Sequence, residues 1–412
     1  MRLSTSVALC LLTRTLSGAT PTLQGNVSVE SLPTEPSSDE TQANDQLAQL
    51  ASFAGHMTNE TLAETTKRGG CALWNLSVRR EWSTLSKKQR KAYTDAVLCL
   101  QSKPARTPSS IAPGAKSRFD DFVAVHINQT NYIHYTGTFL AWHRYFTWSY
   151  EQALKNDCGY TGVQPYWDWA STGLVGLEKS PLLDGSDYSM SGNGEHTVQI
   201  GDITLGGGGL PSLILPTGTG GGCVTSGPFK NMKINLGPAG LALPGAGINL
   251  EVQSNPYAYN PRCLKRDLTD WIIRRFSNAT AIVNNIVKPK DVYDFQMTMQ
   301  GYPGSGDIGI HGGGHYAMGG DPGRDVNTSP GDPLFYLHHA MIDRVWWIWQ
   351  LLDHKERIGA KGISGTGTFL NVPASANTTL DTVIDLGYAA GPPMKMRDLM
   401  DTTEGPFCYA YL

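Results

Sequence analysis

The sequence predicts a mainly α protein whose helices are separated by long loops and few short strands. Three observations carry this expectation. Apolar residues recur at helical spacing over 78–100, 139–154 and 264–287, and again after Asp332-Pro333. The 46 Gly and 24 Pro among 412 residues argue for long ordered loops around a compact body. Charged residues make up 17 %, and 33 Lys+Arg stand against 36 Asp+Glu, so there is no basic surplus for nucleic acid. No uncharged apolar run reaches the roughly 18 residues of a membrane-spanning helix.

The amino terminus reads as an address. Arg2 precedes the apolar stretch 3–12, and the small residues Ser17, Gly18 and Ala19 follow, so residues 1–19 are expected to be a secretory signal peptide and the protein to be secreted and extracellular. Asn-x-Ser/Thr acceptors at Asn26, Asn59, Asn75, Asn128, Asn278, Asn327 and Asn377 agree with a glycoprotein. Removing Cys10 with the signal leaves Cys71, Cys99, Cys158, Cys223, Cys263 and Cys408, an even set that suits three disulfides with the pairing open.

Residues 20–66 are rich in Ser, Thr and acidic side chains and hold no basic one, so this leader is expected to pack no core. It ends in Lys67-Arg68 before two glycines, a pattern that suits processing. The expected organisation is therefore an acidic propeptide at 20–68 and a single domain at 69–412. Cleavage there leaves 29 basic and 29 acidic residues, a balance suited to a small neutral substrate.

Within the body, Leu140, His143, Thr147, Tyr150 and Leu154 fall three or four residues apart, which puts His143 on the buried face of a helix. Residues 171–262 carry glycine runs, prolines and no sustained period, the pattern of a long irregular excursion that Cys223 and Cys263 could staple. Asp332 can cap the next helix and Pro333 is tolerated in its first turn.

Six of the ten histidines fall into two triplets: His126, His134 and His143, then His311, His315 and His339. Residues four apart on a helix share a face, so His311 and His315 can grip one metal. Three glycines separate them, at about 1 kcal/mol each relative to Ala, so some group must approach that backbone closely. Phe335, His339, Ile342, Trp346 and Trp349 form one stripe, and His338 lies beside it. His56, His196 and His354 read as ordinary histidines. No Glu follows His311 as in a zinc protease, and no carboxylate pattern suits di-iron. Imidazole triplets suit copper or zinc with an open coordination position.

These residues resemble the type-3 dicopper proteins, within them the fungal tyrosinases and short catechol oxidases. FLAWHRYFTWSYEQAL around His143 resembles the copper A motif and DPLFYLHHAMIDRVWWIW around His339 the copper B motif. RREWSTLS at 79–86, PYWDWA at 165–170, GPF at 227–229, PRCLKRDL at 261–268 and the Tyr409-Ala-Tyr411 pair also match. The resemblance implies a four-helix bundle holding two copper ions, copper A on His126, His134 and His143 and copper B on His311, His315 and His339, with Phe335 against the copper B imidazoles. Longer relatives continue into a carboxy-terminal lid domain; this chain stops one residue after Tyr411. Tyr132 stands where many fungal relatives place a Cys joined to the second copper A ligand, so no thioether is expected.

Many tyrosinases place Asn directly after the first copper B ligand, where it is proposed to help deprotonate phenols; here that residue is Gly312. The expected activity is therefore O2-dependent oxidation of o-diphenols to o-quinones, with weak or selective monophenol hydroxylation. Partners would be small phenols and O2. Full tyrosinase activity, o-aminophenol oxidation, a hemocyanin-like dioxygen carrier and a zinc hydrolase are the competing expectations. Gln296 and Gln300 are left without a role.

Overall fold

The computed structural model describes residues 31–67, 70–207 and 210–412. The expected signal peptide, Asn26 and Arg68 of the dibasic pair lie outside the described residues. The helices run α1 (Glu40–Lys67), α2 (Lys87–Ser102), α3 (Arg118–Ile133), α4 (Phe139–Cys158), α5 (Trp169–Val175), α6 (Asp270–Phe276), α7 (Ala279–Val287), α8 (Val292–Gln300), α9 (Gly309–Met318), α10 (Leu334–Leu351) and α11 (His354–Arg357). None of them is long and apolar enough to cross a membrane.

The leader is the first correction. Helix α1 packs along the body, against α7 and α10. Its polar composition conceals a stripe of Ala43, Leu47, Leu50, Ala54, Thr58, Leu62 and Thr65, three or four residues apart and all buried. Glu40 also caps a neighbouring helix: its carboxylate accepts the Ala279 and Thr280 backbone N–H groups, at 3.0 and 3.3 Å, at the start of α7. These are orphan donors at the positive end of the helix dipole. Glu40→Ala is expected to lower stability by about 1–2 kcal/mol, read as a shifted urea midpoint at constant slope.

Two expected helices are shorter than their apolar period. In 78–100 the helix begins only at Lys87, where Ser86 and Gln89 form a reciprocal capping box. The preceding Ser77–Arg79 is a strand paired in parallel with Tyr409–Tyr411, a long-range ladder that overrides the local pattern. In 264–287 the period is interrupted at Ser277-Asn278, where Asn278 accepts the Ala281 N–H and starts α7 afresh. The excursion matches its expectation, with short two-stranded ladders such as Ile203–Gly207 on Leu210–Leu215.

Three disulfides form, Cys71–Cys408, Cys99–Cys158 and Cys223–Cys263. The first ties the start of the body to its end, and the third staples the excursion. Helix α10 is buried along its whole length and is the central element, in contact with α4 and α9. Asp332 accepts the Leu334 N–H at 2.9 Å just ahead of its start, although the cap position itself falls on Pro333, one residue later than expected.

Candidate metal centre

Four helices bring the two triplets together. His126 sits in the middle of α3 and His134 directly after its last residue; His143 sits in α4, His311 and His315 in α9, and His339 in α10. All six are buried. The trios adjoin: the His143 and His339 rings stack with centroids 4.4 Å apart, and His134 lies 5.7 Å from His311. Each trio converges on its own centre, with ligand atoms within 4.8 Å of one another.

The ring nitrogens divide into oriented and free. Nδ1 of His126 lies 2.8 Å from Asn327 O, that of His134 3.0 Å from Thr130 O, that of His143 2.8 Å from Phe139 O and that of His315 3.2 Å from Gly323 O. A carbonyl only accepts, so each of these Nδ1 atoms carries the proton and the matching Nε2 presents a lone pair. Nε2 of His126, His143 and His311 has no hydrogen-bond partner although buried. An unpartnered buried nitrogen costs free energy unless something binds it. Nε2 of His315 and of His339 are 3.3 Å apart, close to the separation of about 3.3 Å for two nitrogens bound tetrahedrally at about 2.0 Å to one ion. The donor set fits a pair of imidazole-bound first-row ions.

Electrostatics keep the rings in the metal-binding form. Burial depresses all six imidazoles below the usual 6.5, to about 4 for His134 and about 3 for His315, where the His134 charge adds to the effect. The rings are therefore neutral at pH 7.

The glycines between His311 and His315 admit neighbours. A methyl at Gly314 would strike the His338 ring, and one at Gly313 would strike Ser277 and Phe276 at the end of α6. Gly312 is half-exposed, and a Cβ there would meet Cβ of Ile308 at 2.8 Å. Phe335 stacks on His339 at 4.1 Å and also reaches His315 and His126, so it packs against both trios.

Some residues at the centre were assigned no role from the sequence. His338, set beside the stripe, joins the cluster of His311, His315 and His339 with neither ring nitrogen partnered, its ring against Trp169. Gln300 holds the turn after His134: its Oε1 accepts the Tyr135 N–H at 2.7 Å, and its carbonyl accepts the Tyr135 hydroxyl. Tyr135 has φ +50°, a left-handed conformation that needs such support. Asn327 and Gly323 contribute only backbone carbonyls to the rings, so their residue types carry no ligand signal, although a Cβ at Gly323 would meet Gly319 O at 2.6 Å. Of the histidines read as ordinary, His354 pairs with Asp401 at 2.8 Å and His196 lies at the surface.

Residues 116–352 match the common central domain of tyrosinase. Tyrosinase P of Aspergillus terreus is 39 % identical over 335 residues, covering 81 % of this chain and 91 % of that protein. N-acetyl-6-hydroxytryptophan oxidase of Emericella nidulans is 37 % identical over 353 residues, covering 83 % and 93 %. A solved polyphenol oxidase from Thermothelomyces thermophila, in a glycine-to-asparagine variant, superposes with a TM-score of 0.83 at 44 % identity. That superposition spans 93 % of this chain and all of the other, more than residues 69–412 could supply, so it extends into 31–67 and reaches α1.

Proposed function

Because the chain belongs to the tyrosinase family of type-3 copper oxidoreductases, we propose that it oxidises o-diphenols to o-quinones with O2 and hydroxylates monophenols weakly. His126, His134 and His143 would hold copper A, and His311, His315 and His339 copper B. When bound, the copper pair supplies the electron relay that takes two electrons from each of two diphenols and reduces O2 to two waters.

The protein's own part is positional. The Thr130, Phe139, Asn327 and Gly323 carbonyls fix four imidazoles with Nε2 inward, and Phe335 covers both trios from within the bundle, keeping water away from them. Gly312 lies partly exposed beside His311, with the Ile308 side chain packed where a Cβ would stand. A diphenol or an o-aminophenol that passed Gly312 would offer two adjacent heteroatoms to a copper pair held by the six histidines, and that pair would lower their proton affinity. A monophenol must lose its proton and hold a tighter pose, and Gly312 offers no side chain to accept that proton. The absence of a polar group at 312 carries this reading.

The test is the ratio of initial rates on a catechol and its monophenol with copper fully loaded, and the catechol is expected to be faster by at least about a hundredfold, the low end of what one general base contributes. A tyrosine-type substrate turned over as fast as its catechol, without a lag, would establish full tyrosinase activity instead. Gly312→Asn is expected to raise the monophenol rate, and more so when Ile308→Ala makes room for the new Cβ.

We further propose that the chain is secreted, which suits its three disulfides. A cut after Arg68 would then free α1 only if its buried stripe were also released from α7 and α10. Mass spectrometry of the secreted form would locate its first residue.

A further inference from the structure

One turn serves both trios. Gly323 O orients His315 and Asn327 O orients His126, so a histidine of each trio takes its direction from carbonyls four residues apart. His134 and His143 rely instead on the carbonyls of Thr130 and Phe139, four residues before each.

Two side chains of that turn reach out to the body: Arg324 pairs with Asp267 at 3.4 Å, and Asp325 makes the larger set of bonds. Asp325 is fully buried; its Oδ1 accepts the Asn327 N–H at 2.9 Å, and its Oδ2 accepts the N–H groups of Ala239 at 2.7 Å and Gly240 at 3.1 Å. Its backbone pairs with Leu241 in an isolated antiparallel bridge, and its carbonyl accepts the Thr328 and Ser329 N–H groups. The carboxylate thus bolts the 323–327 turn to the 239–241 segment of the glycine-rich excursion. Without it, three backbone N–H groups and the Asn327 side-chain amide would lose their acceptor.

We propose that Asp325 is a positioning residue that sets the two copper sites relative to each other, acting on His126 and His315 at once through the Asn327 and Gly323 carbonyls. This rests on the dicopper reading of the centre. It also gives the excursion a purpose: residues 239–241 are the anchor against which the turn is held. Asn in place of Asp325 keeps the size but turns one acceptor into a donor that faces other donors. Partners of metal-binding histidines typically contribute 10–100-fold in metal affinity or activity.

The test uses the full chain, stripped of metal and titrated with Cu(I) against a competing chelator, then oxidised and examined by electron paramagnetic resonance. Wild type is expected to take two coppers whose Cu(II) spins couple and give no signal. Asp325→Asn, with Asp325→Ala as the second variant, is expected to bind both coppers about 10–100-fold more weakly and to show uncoupled Cu(II) once loaded. Ile282→Ala, a buried cavity variant in α7, controls for general destabilisation. Wild-type affinity and coupling in both Asp325 variants, weakening of only one copper, or the same copper loss in Ile282→Ala at matched thermal stability would each overturn the proposal. A wild type that takes up no copper would overturn the dicopper reading instead.

Discussion

Asp343→Ala is expected to lower unfolding free energy by about 3–5 kcal/mol, enough to remove much of the stability of an ordinary domain. Asp343 lies one helical turn beyond His339 on α10. Its carboxylate accepts Arg144 Nε at 2.6 Å, Arg79 Nη1 at 3.3 Å and the hydroxyls of Tyr409 and Tyr411 at 2.6 Å each, all buried. Arg79 also pairs with Glu151 at 2.8 Å. Burial alone would raise the Asp343 carboxyl, but the Arg144 and Arg79 charges outweigh it and hold it below the usual carboxylate range. Removing it leaves Arg144 with no ion-pair partner and Arg79 with Glu151 alone, and the cost comes from those stranded charges rather than from the net worth of the bonds. It also loosens the Tyr409–Tyr411 strand from α10. Equilibrium urea unfolding of the metal-free protein measures the loss, and a change below about 1 kcal/mol would mean that water reaches the cluster. Asp343→Asn, which keeps the shape, is expected to cost less than Asp343→Ala.

The metal-free protein is expected to lose stability steadily as pH falls below about 6.5. Each of the six imidazoles has a folded value below that of the unfolded chain, so between the two values the unfolded state binds more protons and acid favours it. For His134, the gap from 6.5 to about 4 corresponds to ~3 kcal/mol when complete, and His315 titrates lower still. The carboxyls of Asp343 and Glu151 act in a separate window. Their folded values are also lowered, against the effect of burial, by Arg144 and Arg79 for Asp343 and by Arg79 and Lys155 for Glu151. Their stabilisation is present above the ordinary carboxylate range of about 4 and is lost as pH drops through the folded values. Urea midpoints at pH 7.5, 6 and 5 should fall in order for the metal-free protein. The copper-loaded protein should hold its midpoint to lower pH, because metal competes with protons for the same nitrogens. A flat midpoint in the metal-free form would mean that protons enter the folded centre freely.

The chemistry of the centre was legible in the chain because ligand chemistry resides in side chains. The six histidines, the i, i+4 pair on α9 and the Phe335–Trp349 stripe all follow from residue type and helical period, and so does the fold class. Other parts follow only from residues distant in the chain. The strand at Ser77–Arg79 exists because Tyr409–Tyr411 pairs with it. Leader helix α1 is ordered against α7 and α10, so its polar composition misled. His338 joins the cluster because Gly314 admits its ring.

By itself, the sequence determined six of the histidines that can bind metal, the helical period around His143 and His339, and that position 312 carries no proton acceptor. Only the tertiary structure decided how the two trios face each other and what orients their rings. The physical reason is that orientation comes from backbone carbonyls at Thr130, Phe139, Gly323 and Asn327 and from a carboxylate at Asp325. Every residue has a carbonyl, so its identity says nothing of where that carbonyl points until the chain has folded.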